Sequence, residues 1–259
     1  MDGGWNSCRC KRGRGVKGWG LATAVRTLTI IPFPGKESES GATGFYWYVP
    51  VGALLGGILY FVSKINLPTP LLATLIVALL ALLTRAFHLD GLADTFDGFG
   101  GGNSKERRLE IMRDHQTGVF GVTALLLTLI FKVVATTLLL EGGRGAFIFY
   151  APLLSRFFVV AQALFNPYAR ESGKAFSQIN DGKLRHLLVS FGWVLLSLLL
   201  FPSHLWEVAI LFGVGLVVTL LIALRARSLI GGVTGDVLGA TVELSETLIL
   251  CVATLAILG

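Results

Sequence analysis

The sequence predicts an all-α polytopic membrane protein, a bundle of about seven transmembrane helices with its N-terminus in the cytoplasm. Three observations carry that prediction. Of the 259 residues 53% are hydrophobic and only 15% are charged, with a mean hydropathy of +0.71, whereas a soluble domain carries about a quarter charged residues. Seven apolar stretches reach or approach the roughly 17–25 residues that a helix needs to cross a bilayer. Finally, the basic residues sort to one side of those stretches.

In order, the expected spans are Phe45–Ser63, Leu71–Phe87, Gly118–Leu140, Ala146–Phe165, Leu187–Phe201, Trp206–Leu224 and Ala240–Leu258. Leu187–Phe201 is the shortest. Gly52, Gly56 and Gly57 give the first span a face of small residues for close helix packing. Pro68 and Pro70 punctuate the turn after it, and Pro202 ends the fifth. With the N-terminus inside, segments 1–44, 85–117, 166–186 and 225–239 hold 18 of the 22 Lys and Arg residues. Lys64 and Arg144 alone lie outside, while Lys132 and Arg156 fall within spans. That bias fixes the orientation by the positive-inside rule. The chain divides into a basic cytoplasmic tail with an interfacial segment (1–44) and one transmembrane catalytic domain (45–259).

The tail carries Arg9, Lys11, Arg12, Arg14 and Lys17, the charges a cytoplasmic membrane flank requires, so no nucleic-acid partner is expected. Leu21 to Phe33 is broken by Arg26 and threonines and has no small-residue cleavage site. It therefore reads as a surface-lying amphipathic segment ending at Pro32 and Pro34, and not as a signal peptide. Cys8 and Cys10 lack the second pair a zinc site needs, and Cys251 sits in an apolar run. With no disulfide framework, the working parts are expected to face a reducing cytoplasm.

The chemistry concentrates in RAFHLDGLADTFDGFGGGNSKERRLEIMRDHQTGVFG, Arg85 to Gly121. Asp90, Asp94 and Asp97 are spaced i, i+4, i+7, so one helical face carries three carboxylates that repel each other. A cation must offset that repulsion, and hard oxygen ligands suit Mg²⁺, Mn²⁺ or Ca²⁺. The Gly100–Gly102 triplet is expected to form a flexible turn beside them. Glu106, Glu110 and Asp114 follow at further i, i+4 spacings, interleaved with Arg107, Arg108 and Arg113 as phosphate ligands or counter-charges. His88 is a candidate base or hydrogen-bond donor to phosphate, and His115 is read as structural.

A second block, RARSLIGGVTGDVLGATVELSETL, joins the glycine turn Gly231, Gly232 and Gly235 to Asp236, Glu243 and Glu246. Glycine-rich turns expose N–H groups to phosphate, and acids at membrane depth are costly unless they serve a purpose. A third inside segment, Asn166–His186, mixes Arg170, Lys174, Lys183 and Arg185 with Tyr168 and Phe176, either a solvated loop or a basic lid for an anionic substrate. Arg156 within a span demands an anionic partner, to be supplied by Asp97, Asp236 or the substrate. There is no Walker A or GxGxxG fingerprint and no Ser/His/Asp or Cys/His nucleophile arrangement. Carboxylates, a divalent metal, arginines and a glycine loop together support phosphoryl transfer from a diphosphate donor.

HLDGLADTFDGFGGG, ERRLEIMRDHQTGVFG and GGVTGDVLGATVELSE, with LTIIPFP near the start, resemble the cobalamin synthase family over nearly the whole chain. The resemblance implies a multi-pass inner-membrane enzyme with its active site facing the cytoplasm. That enzyme joins adenosylcobinamide-GDP to α-ribazole or its 5′-phosphate, with Mg²⁺ as cofactor and GMP released. By position, Asp90, Asp94 and Asp97 match the family's acidic motif, Glu110 and Asp114 its second block, and Asp236, Glu243 and Glu246 its last. Beside that resemblance we read Asp90, Asp94 and Asp97, with Asp236, as catalytic metal ligands and one of Glu243 and Glu246 as base. His88, Arg107, Arg108, Arg113, Arg156, Gly232 and Gly235 would contact substrate. Membrane lipids are expected neighbours, with a second copy of the chain or other cobalamin-assembly enzymes as protein partners. A CDP-alcohol phosphotransferase is the weaker enzyme reading, because Leu92, Ala93 and Asp94 follow Gly91 where that pattern wants Ala-Arg. A divalent-cation transporter is the rival from another class, and acids gathered on one side of the bundle argue against it.

Overall fold

The computed structural model describes residues 19–36, 38, 41–173, 175–200 and 205–255. The basic tail with Cys8 and Cys10, Lys174, Pro202, and the expected span ends at Phe201 and Leu258 lie outside the described residues. Among the described residues the chain forms α-helices and no strand: α1 (Gly20–Leu28), α2 (Phe45–Val62), α3 (Thr69–Leu83), α4 (Phe87–Gly101), α5 (Lys105–Ile111), α6 (Val119–Glu141), α7 (Ala146–Phe165), α8 (Phe176–Asn180), α9 (Leu184–Leu200), α10 (Leu205–Ile230) and α11 (Gly235–Leu255). Five of these, α2, α6, α7, α10 and α11, are long and apolar enough to cross a membrane, and the pair α3–α4 makes a sixth if counted as one bent span. The all-α polytopic class predicted from composition is what the chain adopts.

The second expected span is not one straight helix. α3 stops at Leu83, and α4 leaves at 87° to it. The stop is a Schellman cap: the Ala86 N–H donates to the Ala81 carbonyl at 2.7 Å and the Arg85 N–H to the Leu82 carbonyl at 3.0 Å. Such a cap wants a left-handed residue, usually glycine, yet Arg85 (φ 55°) and Ala86 (φ 52°) both adopt it here. Two left-handed non-glycine residues cost about 1 kcal/mol or more each and persist only where surroundings hold them. The hold is visible. The Arg85 guanidinium donates to the Arg26 carbonyl at 2.6 Å, and the Ile30 N–H to the Leu83 carbonyl at 2.6 Å. The amphipathic N-terminal segment thus clamps the bend that aims the acid-bearing helix.

α7 is the hub, buried along almost its whole length against α2, α9 and α11. The small face of the first span is used as its sequence predicts. A Cβ on Gly56 would come within 2.3 Å of the Phe149 carbonyl oxygen, and one on Gly52 within 2.6 Å of that of Pro152. Gly57 faces open space instead.

The connections sort to two ends of the bundle. At one end the loop after α7 meets the turn before α11, where the Ala169 N–H donates to the Val233 carbonyl at 2.9 Å, and Arg108 of α5 reaches the Leu229 carbonyl at 3.4 Å. At the other, Gly145 lies against the Ser63 side chain and Arg144 pairs with Glu207. Every motif singled out above therefore begins from one end of the molecule. α4 lies across the first turns of α6 and α11, so close that a Cβ on Gly91 would stand 2.8 Å from the Asp236 carbonyl oxygen.

Candidate active site

The mouth of the site is built where α4 crosses the start of α11. Asp90 is exposed and Asp94 half-buried on α4, one turn apart, while Asp236 occupies the first turn of α11, where a carboxylate also complements the helix dipole. The three are mutual neighbours electrostatically: the charges acting most strongly on Asp94 are Asp90, Asp236 and Asp97 as repulsion and Arg170 as attraction, and Asp90 also acts on Asp236. Arg170 donates to Asp236 Oδ2 at 3.0 Å, and the Thr234 hydroxyl donates to the same oxygen at 3.2 Å. Thr234 also caps α11 by accepting the Val237 N–H at 3.3 Å. Tyr168 completes the rim. Burial raises its phenol above the usual tyrosine range, the Arg170 guanidinium opposes that rise, and the Asp236 carboxylate adds to it.

Asp97 departs from the expected ligand set. Its two oxygens face α6, Oδ2 accepting the Gly118 N–H at 2.7 Å and Oδ1 the Gly121 N–H at 2.8 Å. Gly118 offers no side-chain cap of its own. A carboxylate from α4 therefore satisfies N–H groups at the start of α6 that would otherwise be orphaned. This role follows from the i, i+7 drift: Asp97 points a little round the helix from Asp90, toward α6. Replacing Asp97 by Ala should lower stability by about 2 kcal/mol, the scale of losing a strong cap, while leaving divalent-cation affinity close to that of the unaltered protein. Chemical unfolding in detergent and Mn²⁺ titration read the two effects separately, and a collapse of Mn²⁺ binding would return Asp97 to the ligand set.

Glu243 and Glu246 are not at the mouth. They lie deeper along α11, 6% and 1% exposed at the side chain, in a sealed quartet with Lys132 of α6 and Arg156 of α7. Lys132 Nζ donates to Glu243 Oε2 and Glu246 Oε2, both at 2.6 Å; Arg156 and Ser155 donate to Glu246 Oε1. The expected partners of Arg156 were Asp97, Asp236 or substrate; the partner is Glu246, because α7 and α11 face each other at membrane depth. Two acids and two bases neutralise one another where solvent cannot. In this packing Arg156 is fully buried and paired with Glu246, and both glutamates are paired with cations. His88 is drawn the same way. It is buried, and the charges that act on it are those of Arg156, Glu246 and Lys132, the members of the quartet.

The glycines and arginines separate similarly. A Cβ on Gly232 would fall 2.2 Å from the Pro167 carbonyl oxygen, so its close approach is to the α7–α8 loop, not to a ligand. Gly231 takes φ 80° to make that turn, and Gly235 opens α11. The Gly100–Gly102 triplet is no flexible turn: Gly100 and Gly101 finish α4, and Gly102 packs on Arg108. Arg107 is exposed and paired with Glu110 at 2.7 Å, and Arg108 is engaged with Leu229, whereas Arg113 is exposed and within electrostatic reach of Tyr168. Glu106 is held below the usual carboxylate range by hydrogen bonds from its own backbone N–H and the Ser104 hydroxyl at the start of α5. Asp114 Oδ1 accepts the Gln116 N–H at 3.1 Å, closing a turn. Sequence reading missed Lys132 as a quartet member, although its place inside an apolar span was the signal. It also left Arg170 among general loop charges.

Among the described residues no group of three or more His, Cys, Asp or Glu is drawn together as a metal cage. The donor chemistry at the mouth nevertheless fits magnesium, which is ordinarily held by one or two carboxylates together with substrate phosphates and water.

Fold and site together define a polytopic helical membrane protein that gathers carboxylates, an arginine and a tyrosine at one end of its bundle. The sequence pattern of the family described as cobalamin-5-phosphate synthase matches residues 20–254, and the chain belongs to that family. It is similar to proteins named adenosylcobinamide-GDP ribazoletransferase. One from Chlorobium phaeobacteroides is 39% identical over 89% of this chain and 95% of the relative. Another, from Chlorobaculum parvum, is 40% identical over 93% and 96%. A third, from Syntrophobacter fumaroxidans, is 38% identical over 91% and 97%. No solved structure matches the chain. The family assignment disfavours the CDP-alcohol phosphotransferase and the cation transporter.

Proposed function

We propose that this chain transfers the adenosylcobinamide phosphate group of adenosylcobinamide-GDP to α-ribazole or its 5′-phosphate, releasing GMP, at the cytoplasmic face of the inner membrane. The observation that carries the reading is the mouth cluster of Asp90, Asp94 and Asp236 with Arg170, at the end of the bundle where the basic inside segments meet. Relatives that align over nine-tenths of the chain carry the name of that activity. Asp90 and Asp94, with Asp236, would hold Mg²⁺, which when bound neutralises the diphosphate and the departing GMP phosphate. The remaining work belongs to the chain. Arg170 and Arg113 attract the anionic substrate, and the half-buried setting of Asp94 strengthens every charge interaction there. The proton of the incoming hydroxyl is left to the mouth carboxylates, since Glu243 and Glu246 are sealed behind Lys132 and Arg156.

Protein purified in detergent and given adenosylcobinamide-GDP, α-ribazole and Mg²⁺ should release GMP in step with product. EDTA should stop the release and excess Mg²⁺ restore it, with no sealed compartment required. Folded, monodisperse protein that releases no GMP under those conditions would refute the assignment.

A further inference from the structure

We infer that Arg170 is a substrate-binding residue that occupies the cation position at the acid cluster until metal and diphosphate arrive, then moves from Asp236 to the diphosphate oxygens. The inference rests on the proposed metal–diphosphate reading and assigns a residue to it.

Three carboxylates, Asp90, Asp94 and Asp236, share the mouth, and Arg170 is the opposing charge that acts on both Asp94 and Asp236. Three carboxyl groups act there against one arginine, so acidic groups outnumber the cation that opposes them. The Arg170–Asp236 contact is a single 3.0 Å bond, not a two-pronged one, and it is only partly buried, at 13% and 23% exposure. A single-pronged contact is weaker than a two-pronged one, which leaves the guanidinium able to exchange partners. Arg170 Nε is buried and has no hydrogen-bond partner, so the guanidinium has an edge with a donor unspent. A guanidinium offering two parallel donors suits a phosphate, and a buried donor left unmatched is costly until an acceptor arrives.

The surrounding loop allows the exchange without disturbing the frame. Ala169 is tied to Val233 through the backbone, and Val233 in turn to Pro167, so the base of the loop is fixed to the start of α11. Beyond Arg170 the chain passes Gly173 at φ 156°, before α8. Arg170 thus projects from an anchored point beside Asp236, with Tyr168 two residues before it and within its electrostatic reach. When a divalent cation takes the carboxylates, Arg170 loses its attraction to Asp236, and the nearest new anion is the diphosphate the metal carries.

The test uses the full-length protein in detergent, with Mn²⁺ as the probe in the absence of substrate. Arg170→Gln should bind Mn²⁺ about three- to tenfold more tightly, because a competing positive charge is gone. The same variant should raise KM for adenosylcobinamide-GDP by about tenfold or more, because a charge-assisted phosphate contact is lost. Arg170→Lys keeps the charge but not the fork. Its Mn²⁺ affinity should stay near that of the unaltered protein while KM still rises, and it remains decisive should the Gln variant fail to accumulate. Mn²⁺ affinity that is unchanged or weaker in Arg170→Gln, or a KM that does not move in either variant, overturns the inference alone, provided the unaltered protein binds Mn²⁺ and Asp94→Asn weakens that binding. If the unaltered protein binds no Mn²⁺, the metal assignment falls and this inference with it.

Discussion

Asp94→Asn should lower GMP release by at least about a hundredfold while the protein still inserts and unfolds like the unaltered chain. The substitution keeps shape and hydrogen-bonding capacity and removes one negative charge. Asp90, Asp236 and Asp97 all act on that group, so the cluster's attraction for a divalent cation depends on it. Metal-assisted charge neutralisation contributes several kcal/mol to a displacement of this kind, and each 1.36 kcal/mol lost is about a tenfold rate. A loss of two to three decades follows, accompanied by weaker Mn²⁺ binding. Relief of like-charge repulsion should meanwhile leave folding stability equal or slightly higher, which separates a chemical defect from a structural one. Activity within about threefold of the unaltered protein would remove Asp94 from the site.

How much of this was legible in the chain depends on which force set each feature. Helix type and burial follow from apolar run length, so the spans over Phe45–Ser63, Gly118–Leu140 and Ala146–Phe165 agree with α2, α6 and α7 to within one or two residues at most ends. The break at Thr84–Ala86 was hidden, because its left-handed residues are Arg85 and Ala86, which carry no turn signature. The shared face of Asp90 and Asp94 was legible from their i, i+4 spacing, whereas Asp236, on another helix, joined them in the sequence reading only through its glycine-rich block and the family resemblance. Asp97 shared that spacing and went elsewhere: only the tertiary approach of α6 could reveal that its oxygens are claimed by backbone N–H groups. For Glu243, Glu246 and Arg156 the expense of a charge at membrane depth was readable, but its resolution was not. A sequence states that such a group needs a partner; which helix supplies it is decided by how α6, α7 and α11 pack.

That packing leads to the largest expected loss of stability. Lys132→Met should destabilise the protein by about 3–5 kcal/mol, the penalty for leaving a buried charge uncompensated. Lys132 is 3% exposed and is the shared donor to both glutamates, so its removal leaves two carboxylates facing Arg156 alone. Volume is nearly conserved in the exchange, which makes charge and not packing the variable. Adding Glu243→Gln restores neutrality, and the double variant should recover at least half of the lost stability even though it has one polar contact fewer. Unfolding by a graded denaturing detergent reads both values on the same scale. A Lys132→Met protein as stable as the unaltered one, or a double variant worse than either change predicts alone, would mean that the four groups are not the balanced set that locks α6 and α7 onto α11. The quartet's position explains why the outcome should reach activity as well. α11 carries Asp236 at its first turn and takes α4 against its backbone at Gly91 and Gly239, so loosening α11 loosens both halves of the mouth. The deep charges act at a distance: they fix α11, which carries Asp236 and against which the helix of Asp90 and Asp94 is packed.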